Sequence, residues 1–256
     1  MKLLAGLGLY ATMLFIGVAS LAWNLLALLL GLLPERHARA VGRAGIAYGY
    51  RLFWAVAQGL QVMRIEDGGL DALRDERGLI IVANHPTMLD ALLLVARLPR
   101  SACIMKASLL DNIFLGAGAR LARYVSNQSA WTMIHQARDT LRQGGQLVIF
   151  PEGSRTATPP LDPFRPSVTL IAKLAQAPIQ TVFIETDTPY LRKGWPIWRV
   201  PPLPVTFRLR LGRRFGPAAD SHALLAEVER YYQENMEQGV ASAPAVCPTH
   251  RVPTSF

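Results

Sequence analysis

No charged residue stands between Lys2 and Glu35. As one helix that 32-residue run would be roughly 48 Å long, more than the ~30 Å hydrocarbon core of a bilayer needs. A buried helix of a soluble domain is rarely this long or this uniformly apolar. A secretory signal peptide is a second alternative, but the run exceeds an h-region and no small-x-small cleavage site comes after it. The expectation is therefore a membrane-anchoring segment, either one tilted span or a broken hairpin with Gly17 or Trp23-Asn24 at the break. Arg36, Arg39, Arg43 and Arg51 crowd its C-terminal side against Lys2 alone on the other. That imbalance puts the rest of the chain at the cytoplasmic face of the membrane, the inner membrane if the source is bacterial.

A second apolar-rich helix is expected over Ile46–Met63. It carries Tyr48, Tyr50, Phe53 and Trp54, amphipathic rings that suit either a membrane–water interface or a core. From Gly78 the pattern changes to short apolar runs alternating with helical segments. Expected strands are Leu79–Ala83, Ala102–Met105, Gln146–Phe150 and Ile179–Ile184. Expected helices are Leu89–Arg97, Trp131–Gln143 and Val168–Gln176. Such alternation predicts an α/β fold, a mostly parallel central sheet flanked by helices, with the N-terminal helical segment as anchor. Pro189–Pro204, with five prolines and two tryptophans, reads as a long loop resting on a membrane or on the acyl-chain site. Phe207–Leu211 alternates strictly and reads as a half-exposed edge strand with an arginine face. Ser221–Met236 is a final amphipathic helix, and the Ala/Pro/Ser-rich end is expected to be disordered. The expected division is 1–63 anchoring helices, 64–238 an α/β domain, and 239–256 a tail.

Lys and Arg number 27 against 18 Asp and Glu, a formal net charge of +9, which favours anionic partners. The arginines are dispersed and lack interleaved aromatic platforms, so nucleic acid is not expected. Two cysteines, Cys103 and Cys247, make no disulfide framework, and with five histidines they form no metal-ligand pattern.

Two polar stretches come directly after apolar strands. The first is Asn84-His85-Pro86-Thr87-Met88-Leu89-Asp90. Pro86 suits the first position of a helix, which leaves His85 at the strand-to-helix corner and Asp90 about one and a third turns further in. The two side chains can meet only if His85 lies outside the regular helix and folds back over its first turn. They would then form an imidazole base and a carboxylate to orient it. The second stretch is Phe150-Pro151-Glu152-Gly153-Ser154-Arg155-Thr156. Gly153 permits a tight turn or close ligand approach, and Arg155 offers a planar fork for a phosphate or carboxylate. Glu152 is either an acceptor for a hydroxyl or a structural partner for Arg155. Both stretches lie beyond strand ends, where open α/β sheets bind ligands. A plain surface turn with an incidental ion pair is the alternative. Gly116-Ala117-Gly118 resembles a dinucleotide-binding turn, but no clear strand precedes it and the third glycine is missing.

Together the two stretches resemble the phospholipid/glycerol acyltransferase family, the 1-acyl-sn-glycerol-3-phosphate acyltransferases among them. That family carries a His, four residues and Asp, then Phe-Pro-Glu-Gly-(Thr/Ser)-Arg, in this order. Lys106, Gly116 and Tyr124-Val125-Ser126-Asn127 resemble its second block, and Pro178 before Ile179–Ile184 its fourth. The likeness covers roughly Ile65 to Phe215. Three departures stand out: Asn127 where many members carry an Arg implicated in holding the acceptor phosphate, Ser167 where Gly is usual, and Met88 where an aromatic is frequent.

The resemblance implies an O-acyltransferase that moves a fatty acyl group from acyl-CoA or acyl carrier protein to the hydroxyl of a lysophospholipid, most simply 1-acyl-glycerol-3-phosphate. Its implied catalytic pair is His85 and Asp90, with no cofactor beyond the thioester co-substrate. Arg155, helped by Lys106, would bind the acceptor's anionic head. Glu152, Gly153 and Ser154, with Asn84 and Thr87, complete the implied substrate-binding set. Asn127 leaves room for a different acceptor, such as an amino-acid lipid. Other readings are a hydrolase that activates water with the same pair, and a non-enzymatic basic protein of the membrane surface.

Overall fold

The computed structural model describes residues 2–242. Two long helices come first: α1 (Lys2–Leu30) and α2 (Glu35–Gly59). The run of uncharged residues is one unbroken helix, with no interruption at Gly17 or Trp23-Asn24. The chain reverses at Gly31–Pro34 instead, where Pro34 sits just before the first residue of α2. Proline there loses no intrahelical hydrogen bond. α2 thus starts eleven residues before the Ile46 expected from hydropathy, because its first half is polar on one side and is not legible as an apolar run.

Seven strands form one sheet in the order β1-β7-β6-β2-β5-β3-β4. They are β1 (Met63–Glu66), β2 (Ile80–Ala83), β3 (Ser101–Met105), β4 (Val125–Ser126), β5 (Gln146–Ile149), β6 (Ile179–Thr186) and β7 (Val205–Phe215). Every pairing is parallel except β6 with β7. The helices α3 (Asp90–Arg97), α4 (Gly116–Leu121), α5 (Ala130–Arg142), α6 (Ser167–Ala175) and α7 (Ser221–Ser242) cover its faces. The strands and helices expected between Leu79 and Ile184 are present within a residue or two. α7 extends past Met236, and the tail from residue 243 lies outside the described residues.

Two readings of the pattern are corrected. Pro86 does not open a helix; α3 begins at Asp90. The strand around Phe207 is an edge strand only in part: β1 flanks β7 over Val205–Arg208, and from Leu209 to Phe215 β7 pairs with β6 alone. Its arginines are taken up within the fold. Arg208 pairs with Glu66, Arg213 with Glu227 and Arg214 with Glu76, while Arg210 lies over the Phe183 ring. Gly116–Gly118 belongs to α4, packed on α1, with no strand leading into it.

The central strand β2 is buried on both faces, as a parallel strand between helical layers must be. Ile81 and Ala83 face a cluster with Phe53 and Trp54 of α2 and Leu93 and Leu94 of α3. Ile80 and Val82 face the opposite cluster with Leu141 of α5, Ile171 of α6 and Tyr232 of α7. Tyr232 is fully buried, and its hydroxyl donates to the Val82 carbonyl at 2.7 Å and accepts from Val182 N at 3.2 Å. It fixes α7 to the strand that leads to His85. On the other layer α2 crosses α4 at the distance of glycine: a Cβ on Gly42 would lie 2.5 Å from Ala122 N.

Tyr232→Phe leaves two buried backbone groups short of a partner, at a cost of about 1–3 kcal/mol. Its urea unfolding midpoint, measured in detergent, is expected to fall accordingly.

Candidate active site

Each of the two polar stretches leaves the carboxyl end of a neighbouring parallel strand, β2 and β5. They are tied to each other before any ligand is considered. His85 N donates to Glu152 Oε1 at 2.9 Å, and Thr156 N donates to the His85 carbonyl at 2.9 Å. Glu152 is 4% exposed, and its other oxygen accepts from Asp162 N at 3.0 Å. It is therefore the bolt between the two loops. It neither faces a ligand nor pairs with Arg155.

His85 and Asp90 meet. Nδ1 lies 2.8 Å from Asp90 Oδ2, with the side chains 17% and 0% exposed. The meeting works differently from the folding-back the spacing suggested. Residues 86–89 form a turn, and Asp90 is the first residue of α3, where an anion is favoured by the helix dipole. Its carboxylate is fully engaged: Oδ2 also accepts from Thr87 N at 2.7 Å, and Oδ1 accepts from Thr87 Oγ1 at 2.6 Å. With a carboxylate on Nδ1, the ring carries its proton there and leaves Nε2 as the acceptor. The imidazole stacks on Phe150 at 4.0 Å between ring centres, which fixes its plane.

Asn84 is buried and bonded both ways to Ile184, at 2.8 Å through Nδ2 and at 2.8 Å through Oδ1. Its side chain continues the β2–β6 ladder one step past the strand. Thr87 is fully buried under Asp90. Asn84, Thr87 and Glu152, implied as substrate contacts, are thus internal supports. Gly153 adopts φ +75°, and a Cβ there would collide with the Arg165 guanidinium. Ser154 is exposed and donates to the Arg155 carbonyl at 3.3 Å. Arg155 Nη1 donates to the carbonyls of Leu191 and Arg192 at 3.0 and 3.4 Å.

His85 opens onto a cavity of about 1260 Å³. Lys106, Asn127, Arg155 and Arg165 line it, together with Met13, Ile16 and Trp23 of α1 and Tyr50 of α2. Sequence reasoning missed two things here. One is Arg165, whose only signal was a cation directly before Pro166 and an apolar helix. The other is that residues from the anchoring segment and from the α/β domain line one cavity. Asn127 is exposed, and its Oδ1 accepts from Ala107 N at 2.9 Å. Cys103 and Tyr124 line the apolar wall as well; burial pushes the Cys103 thiol up to about 12 and raises the Tyr124 hydroxyl well above its usual range. Both are neutral at physiological pH.

The sequence model of the Acyltransferase family matches residues 64–185. That match spans just under half of the chain. The chain is 27% identical over 137 residues to a putative 1-acyl-sn-glycerol-3-phosphate acyltransferase, acl-1, of Caenorhabditis elegans, covering 51% of this chain and 52% of the relative. It is 28% identical over 202 residues to the 1-acyl-sn-glycerol-3-phosphate acyltransferase of Cocos nucifera, covering 75% of this chain and 61% of the relative. These matches thus span between half and two thirds of the relatives' own length. Its fold matches the crystal structure of the 1-acyl-sn-glycerophosphate (LPA) acyltransferase, PlsC, from Thermotoga maritima, with a TM-score of 0.69 at 19% identity, over 95% of this chain and 98% of that one.

Thr87→Val removes a buried hydroxyl from a charged acceptor, a change worth about 1.5–3 kcal/mol. Its expected signature is a lowered unfolding midpoint together with reduced turnover. Burial holds the Cys103 thiol in its unreactive protonated form at pH 8. Alkylation followed by peptide mass spectrometry should therefore leave Cys103 unmodified in the folded chain and modify it fully in denaturant.

Proposed function

We propose that this chain is an acyltransferase that transfers a fatty acyl group from acyl-CoA or acyl carrier protein to the hydroxyl of a lysophospholipid, with 1-acyl-glycerol-3-phosphate as acceptor. The observation that carries this reading is the cavity itself. Its lining combines a carboxylate-bound imidazole with apolar side chains of α1 and α2 and with the cations Lys106, Arg155 and Arg165. The apolar side chains suit an aliphatic chain and the cations an anionic headgroup.

In the proposed step, His85 Nε2 takes the proton of the acceptor hydroxyl as its oxygen attacks the thioester carbonyl. Asp90 holds Nδ1–H and balances the positive charge that develops on the ring. The tetrahedral intermediate collapses with cleavage of the C–S bond, and the thiolate leaves with the proton that His85 carried. The products are an ester and a free thiol. Direct transfer uses no serine: Ser154 is exposed and engaged with its neighbour's carbonyl. Asn127 in place of Arg favours a second acceptor class, a hydroxylated lysolipid without a glycerol phosphate. Arg155 and Arg165 at the same mouth supply cations that keep the phosphate acceptor preferred.

Membrane anchoring belongs to the same proposal. Leu4–Leu30 is the one helix among the described residues long and apolar enough to cross a bilayer. Yet Leu9, Thr12, Asn24 and Ala27 are buried along its length, while Leu7, Leu14, Val18 and Leu29 face outward. A helix held against its own domain over its whole length is suited to lying in one leaflet.

The test mixes purified protein, acyl-CoA or acyl carrier protein, and lysophosphatidic acid, then measures free thiol and lipid products. Thiol release that depends on the lysolipid is expected. Free fatty acid without it would assign a hydrolase instead. His85→Ala should lose about 10²–10⁴-fold in turnover with the fold and membrane attachment intact; activity above a tenth of the unaltered chain would contradict its role as base.

A further inference from the structure

The Pro189–Pro204 loop folds into tight turns of its own. Trp195 N donates to the Arg192 carbonyl, and Arg199 N donates to the Pro196 carbonyl at 3.0 Å. The second is a β-turn whose two corner residues are Ile197 and Trp198. Turn corners normally carry small polar residues, Gly, or Pro. Here they carry large apolar side chains, 58% and 77% exposed. The turn is held rigidly: Trp195 Nε1 donates to the Arg199 carbonyl at 3.1 Å, and the Arg199 guanidinium lies over the Trp195 ring. Nothing inside the fold requires the corners to be apolar.

The turn sits against α1. Tyr10 OH donates to the Trp198 carbonyl at 2.6 Å, and a Cβ on Gly6 would touch Val200 at 3.7 Å. Near the other end of the same helix, Asn24 Nδ2 donates to the Phe114 carbonyl, beside exposed Ile113 and Phe114. Gly6, Tyr10 and Asn24 fall on one flank of α1 by helical spacing. The outward leucines of α1 are therefore bordered along that flank by two further apolar projections, about 24 Å apart. Lys193 and Arg199, both exposed and in no ion pair among the described residues, flank the tryptophan turn.

We infer that the Pro196–Arg199 turn is a second membrane-inserting element, coplanar with α1, whose partner is a leaflet containing anionic phospholipid. Ile197 and Trp198 enter the headgroup–acyl boundary, and Lys193 and Arg199 meet lipid phosphates. The base of the same loop is part of the active site. The Leu191 carbonyl accepts from both Met88 N and Arg155, with Leu191 itself at φ +57°. The turn thus sets the height of Arg155 and His85 above the lipid surface. This rests on the acyltransferase reading only for its kinetic arm.

Two arms test it, both on the full chain. The first compares the emission of the unaltered protein with that of Trp198→Phe on vesicles of brominated phosphatidylcholine with phosphatidylglycerol. The difference emission belongs to Trp198, and it is expected to be quenched by the bromines and shielded from iodide. Difference emission that ignores the bromines and stays open to iodide overturns the inference, whether or not the enzyme is active. Shielding that grows with protein concentration in the absence of vesicles would assign the turn to a second copy of the chain and equally overturn it. Equal quenching without phosphatidylglycerol would overturn the role of Lys193 and Arg199. In the second arm, the Ile197→Ser/Trp198→Ser protein should show a roughly tenfold higher KM for lysolipid presented in vesicles. Its kcat/KM for detergent-dispersed lysolipid should be unchanged. Loss in both presentations would make the turn merely structural. Absence of turnover in the unaltered chain would sink the enzymatic proposal and leave the quenching arm to stand alone.

Discussion

Two buried carboxylates, Asp90 and Glu152, hold the centre of this molecule in place. A carboxylate removed from water is costly unless it is hydrogen-bonded on every side. Glu152 is satisfied by backbone N–H groups, and Asp90 by one backbone N–H, the Thr87 hydroxyl and the His85 ring. Asp90 draws in Thr87 N and the His85 ring, and Glu152 draws in His85 N and Asp162 N. Each loop is therefore shaped around a charge that cannot be left unpaired. Histidine has no conformational choice of its own: its backbone is held from one side, its Nδ1 from another, and its ring plane by Phe150. Such over-determination is what a catalytic base needs, since a displaced imidazole loses its reach to the acceptor.

The sheet provides the platform for this arrangement. β2 and β5 are adjacent and parallel, so their carboxyl ends deliver the two loops side by side. Asn84 and Tyr232 secure β2 against β6 from its end and from its back. Supports of this kind are invisible to a motif search. Asn84, Thr87 and Glu152 stand inside motif sequences and so read as ligand contacts, although all three face inward. A place inside a motif does not say which way a side chain points.

Much of the fold could be read from the pattern because β2, β5 and β6 are apolar throughout and are separated by helices with clear periodicity. β1 escaped because Met-Arg-Ile-Glu has no apolar run, and β4 because two residues carry no period. The pairing of β7 was only half legible. Its alternating arginines mark the edge that begins at Leu209, whereas the short β1 beside Val205–Arg208 carries no signal of its own. The start of α3 was misplaced because Pro86 is compatible with both a helix start and a turn. Nothing local chose between them; the bonds from Thr87 to Asp90 did. Arg165 was overlooked because it joins the site through loop closure, 80 residues from His85 in the chain.

α1 belongs to two structures at once. Its outer side is dressed for lipid, and its inner side is the missing wall of the chamber beside His85. Trimming the first thirty-odd residues to obtain a shorter chain would therefore do more than remove an apolar helix. It would leave the chamber open along one side and flood it with solvent.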